Sequence, residues 1–257
     1  MPVVVLVILF FAADVRSWFS ASDVPPPEIE DLFGVTERFT YEVRYGFMRL
    51  GNVHVFHSDT LYNGKNHRKV TAVMTSNSNV PFVGYREYHY NTLLVYNDTT
   101  MYSNLFWVDN IHDEIESESR FEFDYENGVV YSWQKGEPSD TLELKGPSDG
   151  GPALFHLGRL IAGKDKDMSY TIYIDDEFND VFIESTSDID MIRSDIFDER
   201  RVPVYRSSGH TSLTGPFGFS GRFRALHHTG EMRIPLEARA SVWIGNVTIR
   251  LIEYETL

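Results

Sequence analysis

The chain is 257 residues long, enough for one large domain or two small ones with a sizeable core. Its 38 Asp plus Glu outnumber 23 Lys plus Arg, a net charge of −15, so the overall balance disfavours nucleic acid and anionic membrane surfaces as partners. The absence of cysteine excludes disulfides, a thiol nucleophile and a lipid-attachment cysteine, while 18 Phe and 14 Tyr lean the composition toward strands.

Residues 1–22 stand apart. Val3–Phe11 is an unbroken apolar run, well short of the about 20 residues that span a bilayer, so no transmembrane span is expected. The length suits a secretory signal peptide over residues 1–22, cleaved near Ala21 or Ser22, although no Lys or Arg precedes the run. The expected location is periplasmic or otherwise exported, the alternative being an N-terminal element of the core. Residues 23–34 form a Pro-rich lead-in, with Val24-Pro25-Pro26-Pro27 as a stiff spacer and room for one helical turn at Glu28–Gly34. Residues 35–257 are expected to form a single β-rich domain.

Strand signals follow in close succession. Phe39, Tyr41, Val43 and Tyr45 alternate with Thr40, Glu42 and Arg44. Gly51–Leu61 and Arg68–Thr75 read as a long hairpin around Asn63-Gly64, with one face on the core. Tyr85–Tyr96, rich in tyrosine, turns at Asn97-Asp98 toward Met101–Val108. After the acidic stretch His112–Glu118, Arg120–Tyr125 and Val129–Trp133 make a hairpin around Asn127-Gly128, and Thr141–Leu144 is a short strand.

One segment reads clearly as helix. Pro152–Ala162 begins after Asp149-Gly150-Gly151 and stops at Gly163, and Leu154, Leu157 and Ile161 form a stripe expected to lie on the sheet. Strands resume at Ser169–Ile174, Val181–Thr186 and Val202–Ser208. The C-terminal stretch reads as three antiparallel strands. Phe217, Phe219 and Phe223 share a face, Leu236, Ala238, Ala240 and Val242 alternate with polar residues, and Val247, Ile249 and Leu251 follow a turn placed at Gly245-Asn246.

Two ends of this pattern resemble a known family. Glu37–Gly51 (ERFTYEVRYGFMRLG) resembles the E-x-L-x-Y-x-V-x-(W/Y)-G opening of the DUF3108 proteins of Gram-negative envelopes. Gly218–Phe223 (GFSGRF), Ile234-Pro235 and Gly245–Tyr254 (GNVTIRLIEY) resemble that family's closing strands, with Phe123-Asp124 and the helix at Leu154–Leu160 in matching places. The likeness runs from about Val35 to the C-terminus. It implies export, an all-β fold and an envelope role, and brings no functional residues with it. The expected fold is all-β: a large antiparallel, curved sheet or partly closed barrel, lipocalin- or LolA-like in general shape, with one short helix.

No catalytic signature stands out. His54 and His57 fall on opposite faces of one strand, and His210 and His227-His228 match no helical metal pattern, so no metal is expected and hydrogen-bonded or solvent-facing histidines are. The acidic runs Asp175–Asp180 and Asp188–Asp198 lack the central Gly of a calcium loop and read as solvated turns. Ser220 sits on a strand rather than at a nucleophile elbow; with His227 or His228 it leaves an unrecognised hydrolase site as the third-ranked reading.

The surplus of aromatic side chains is the remaining feature. Tyr41, Tyr45, Tyr88, Tyr90, Phe217, Phe219, Phe223 and Trp243 either fill a core or line an apolar cavity inside a curved sheet. The first reading is a non-enzymatic exported protein that binds a lipid, an acyl chain or another apolar small molecule, with no cofactor. The alternative is a structural or assembly factor that acts through an envelope protein partner.

Overall fold

The structure is a computed structural model that describes residues 24–79, 84–97, 101–111, 118–174, 177–215, 219–242 and 245–257, with the backbone alone at 212–215, 219–220 and 242. The signal-peptide segment, Phe217, Trp243 and Asp175-Asp176 lie outside the described residues.

Helix α1 (Ile29–Gly34) precedes a hairpin series: β1 (Glu37–Tyr45), β2 (Met48–Tyr62), β3 (Lys65–Ser76), β4 (Glu87–Tyr96) and β5 (Met101–Asn110). Next come β6 (Ser119–Asp124), β7 (Val129–Gln134), β8 (Glu137–Glu143) and the two-residue β9 (Ser148–Asp149), which leads into helix α2 (Ala153–Ile161). The chain then builds β10 (Lys166–Ile174), β11 (Glu177–Ser194), β12 (Arg200–Gly215), β13 (Phe219–His228), β14 (Pro235–Val242) and β15 (Gly245–Thr256). A single 3-10 turn, Asp195–Phe197, joins β11 to β12. The all-β expectation holds, and α1 falls within the stretch Glu28–Gly34, where the sequence leaves room for one helical turn.

All fifteen strands belong to one sheet in the order β8-β7-β6-β5-β4-β3-β2-β1-β15-β14-β13-β12-β11-β10-β9. Consecutive strands are neighbours in the sheet except β8 and β9, which form its two edges, and β1 meets β15 at the centre, which brings both halves of the chain together. Pairing is antiparallel throughout, save for the short parallel β9–β10 contact. Asn63 and Gly64 both have positive φ, 50° and 74°, as the tight β2–β3 hairpin requires.

The sheet is not closed by backbone hydrogen bonds; it coils until one end overlaps the other. Ile172 and Ile174 on β10 face inward, so Tyr173 between them faces outward, where it meets Phe123 at 5.5 Å and Phe121 at 6.4 Å on β6. Those three rings, with Phe106, Val108 and Val130, form a core between the overlapping layers. Asp149 latches the free edge. Its buried carboxylate accepts Thr92 Oγ1 at 2.6 Å, Ser103 Oγ, and the backbone N–H groups of Gly151 and Ala153 at 3.0 and 2.6 Å. Gly150 is required here, since a Cβ would lie 2.0 Å from the Phe106 ring.

Helix α2 lies inside the coil rather than on an outer face of the sheet. Leu157 and Ile161 are buried as the stripe predicts, but so are Ala153, His156 and Arg159 around the rest of the helix. Gly245 and Asn246, expected to form a turn, belong to β15, with Gly245 paired to Val242 and Asn246 to Ser241. Each side chain stays on its expected face, but Ala240 opposes Val247 rather than the Leu251 that a Gly245-Asn246 turn would set against it. Asp188 and Asp190, read as turn residues, lie on the long strand β11, and Arg206 on β12 pairs with Asp190.

Candidate functional site

The interior divides lengthwise. At the end where β1 begins, α1 caps the coil: Leu32 and Phe33 are fully buried, and Phe33 packs against Tyr96, His57 and His156 with ring centroids 4.8, 5.5 and 4.9 Å apart. Below it, Arg159 of α2 donates to both carboxylate oxygens of Glu37, at 2.7 and 3.0 Å, and through Nε to the Met232 carbonyl. The Tyr254 hydroxyl donates to the same carboxylate at 2.7 Å. Both charged side chains are wholly buried, and the bidentate geometry with added donors is what makes such burial tolerable.

Three histidines share this end. The Glu37 backbone N–H donates to His57 Nε2 at 3.1 Å, and His156 lies 5.5 Å from His57, centroid to centroid. His227 touches α2, where a Cβ on Gly158 would lie 3.2 Å from its Nε2. Burial, reinforced by Arg68, lowers His57 to about 4; burial and Arg159 lower His227 to about 3 and put His156 well below its ordinary value. His57 is hydrogen-bonded as expected, whereas His156 is buried with neither ring nitrogen partnered among the described residues. Among the described residues, no group of three or more His, Asp or Glu side chains could hold a metal.

The opposite half is hollow. A chamber of about 410 Å³ is lined by the parts of eight strands nearest the β1–β2 turn, together with the start of α2. Its wall is mostly apolar, with Val43, Val53, Ala72, Ala240, Val247 and Ile249 from the strands and Leu154 and Phe155 from the helix, and with Asn52, Thr75 and Arg239 also in the lining. Small residues explain the space: Ala72, Ala238 and Ala240 occupy inward positions where larger side chains would meet across the coil. At the adjoining rim the β1–β2 turn carries three exposed apolar side chains, with Phe47 90% exposed and Tyr45 and Met48 exposed beside it.

The aromatic candidates distribute unevenly over this geometry. Tyr90 and Phe223 line the chamber. Tyr41 is core instead, between Phe39 and Phe155, with its hydroxyl donating to the Pro235 carbonyl at 2.9 Å. Tyr88 packs against the overlap core, Tyr45 stands at the rim beside Gly245, and Phe219 opens β13. Composition singled out aromatics, whereas the wall is mostly aliphatic. The alternation of Ala238 and Ala240 opposite Val247 and Ile249 was the available signal.

The histidines proposed for a hydrolytic site diverge. His227 is buried against the helix, while the His228 ring stacks on Phe197 at 5.0 Å and accepts the Gly230 N–H. Among the described residues no helix is long and apolar enough to cross a membrane.

No family model matches the chain, and no curated protein matches it. Among solved structures it is similar to a beta-barrel-like protein of the domain of unknown function DUF1849 from Brucella abortus, with a TM-score of 0.56 and 13% identity, over 87% of this chain and 98% of that one. At that identity the likeness shows the fold: a beta-barrel-like, coiled antiparallel sheet.

Proposed function

We propose that the chain is a non-catalytic carrier that holds an apolar ligand, an acyl chain or lipid, in the chamber. The carrying observation is the chamber itself. Its volume falls within the roughly 300–1,000 Å³ of small-molecule sites, and its lining offers no carboxylate, imidazole or serine to act on a ligand. The likeness to a beta-barrel-like fold agrees with a ligand-holding interior. The apolar run Val3–Phe11 and the resemblance to DUF3108 proteins support an exported, envelope setting for it.

The test is organic extraction of the purified protein followed by mass spectrometry, with uptake of a fluorescent fatty acid measured in parallel. A stoichiometric lipid, or saturable uptake abolished by Ala240→Trp, is the expected result. No lipid and no uptake by the folded wild type would refute it. The exposed tip Tyr45–Met48 favours a second reading, a structural or assembly factor that docks through this turn. Capture of an envelope protein that is lost in Phe47→Asp, without any bound lipid, would select that reading.

A further inference from the structure

On the outer face of the coil lies a second cavity, a cleft of about 430 Å³ that shares Arg239 with the chamber lining. Its floor is the outward face of β13–β15 and its other wall is the β11–β12 hairpin. Five arginines line it, Arg193, Arg201, Arg224, Arg239 and Arg250, against two carboxylates, Asp190 and Glu237. In a chain of net charge −15, this is a concentrated positive site.

Register makes the arrangement costly. Arg193 lies opposite Arg201 on β11 and β12, and Arg224 lies opposite Arg239 on β13 and β14. Like charges directly opposed across strands destabilise a sheet. Elsewhere the protein neutralises such a pair: Arg44 opposes Arg49 on β1 and β2, and Glu42 binds both, at 2.9 and 3.4 Å. In the cleft the carboxylates are already engaged. Glu237 accepts Arg239 at 2.9 Å and Arg250 at 3.2 Å, and Asp190 is held by Arg206. Arg193 and Arg224 have no ion-pair partner among the described residues, Arg201 reaches only the Met191 carbonyl at 3.4 Å, and Arg250 Nε is buried without an acceptor.

We propose that this cleft binds a small phosphorylated molecule, whose oxyanion supplies the charge that the two opposed arginine pairs lack. A phosphate carries about −1.5 to −2 and three acceptor oxygens, and guanidinium forks match it bidentately. A lone carboxylate would leave the five-to-two imbalance largely standing. The chemistry fits either a free phosphate ester or the headgroup of a phospholipid.

Calorimetric titration with inorganic pyrophosphate at fixed ionic strength tests it. Wild type should bind saturably, and Arg193→Ala/Arg224→Ala should weaken binding at least tenfold while melting no lower than wild type, because opposed charges are relieved. Arg44→Ala, at the neutralised pair, should bind as wild type does. Absence of saturable binding in wild type, equal binding by the double variant, or equal loss in Arg44→Ala would each overturn the proposal. Co-sedimentation with phosphatidic acid vesicles, competed by pyrophosphate, would identify a lipid headgroup as the source. Pyrophosphate binding without co-sedimentation would identify a free phosphate ester.

Discussion

At the end capped by α1, the interior holds Glu37, Arg159, Phe39 and three histidines; at the end bearing the β1–β2 turn it holds alanines around a hollow. The same strands run through both. Alternation sets which side chains face inward at either end, but side-chain volume sets whether the inside is solid. The buried Glu37–Arg159 ion pair lies at the solid end, where α1, the 229–234 loop and α2 supply partners. Arg233 shows how that loop is tied down, donating through Nε to the Ala162 carbonyl, through Nη1 to the Gly230 carbonyl and through Nη2 to the Val24 carbonyl. The hollow end is lined mostly by aliphatic side chains, with no carboxylate or imidazole among the described lining residues.

The most severe way to break this contrast is to remove the strand that serves both ends. β15 lies between β1 and β14 and runs from the chamber wall, at Val247 and Ile249, to Tyr254 on the Glu37 carboxylate. Truncation after Gly245 removes Val247, Ile249 and Leu251 from the interior, roughly 5–9 kcal/mol at about 1.5–3 per buried side chain. That rivals a whole domain's net stability of about 5–15 kcal/mol. The truncated chain should show no cooperative melt by circular dichroism; a soluble product with the full-length spectrum would contradict the central placement of β15.

Next in size is the solid end alone. Arg159→Ala strands the buried Glu37 carboxylate and should cost about 3–5 kcal/mol. Replacing both charges, as Glu37→Gln with Arg159→Met, should recover much of that loss. Denaturant titration of the single and double variants separates the outcomes: a single variant as stable as wild type would mean the pair is not desolvated.

Much of this architecture was legible in the residues. Strand positions, the Asn63-Gly64 hairpin and the Pro152–Ala162 helix all follow from local periodicity and turn chemistry, which act within a few residues. What was not legible depends on distant partners. The burial of His57, His156 and His227 requires the coil to wrap α2, and Asp149 becomes a latch only when β4 and β5 return to the free edge of β9. Arg224 opposite Arg239 likewise exists only once β13 and β14 are in register. The aromatic count misled because tyrosine and phenylalanine fill the solid end and the overlap, while alanine makes the hollow.

A gentler probe of the solid end is pH. Buried histidines held neutral in the fold but titrating near 6.5 when unfolded make the unfolded chain bind more protons as pH falls. Stability should therefore be intact above pH 6.5 and decline below it, continuing toward the folded-state values near 4 and 3 for His57 and His227. Each such group contributes up to about 1.4 kcal/mol per pH unit. Between pH 6.5 and 5, where carboxylates stay largely ionised, the melting temperature should fall, and His156→Phe should flatten the slope. A melting temperature constant over that interval would place these imidazoles in water.

The smallest effect sharpens the contrast most directly. Ala240 lines the chamber and Ala162 sits fully buried at the solid end, beneath Arg233. Enlarging each to leucine adds the same atoms to opposite environments. At Ala162 the new methyls meet packed neighbours, and overpacking costs about 1–3 kcal/mol. At Ala240 they enter empty volume and bury apolar surface at about 0.8 kcal/mol per methylene, offset by lost rotamer freedom, so stability should change by less than about 1 kcal/mol. Ligand capacity should respond the other way, with Ala240→Leu reducing fatty-acid uptake and Ala162→Leu leaving uptake unchanged while the protein is folded. Equal destabilisation by the two substitutions in matched urea titrations would mean that the interior is equally packed along its length, and the carrier reading would lose its chamber.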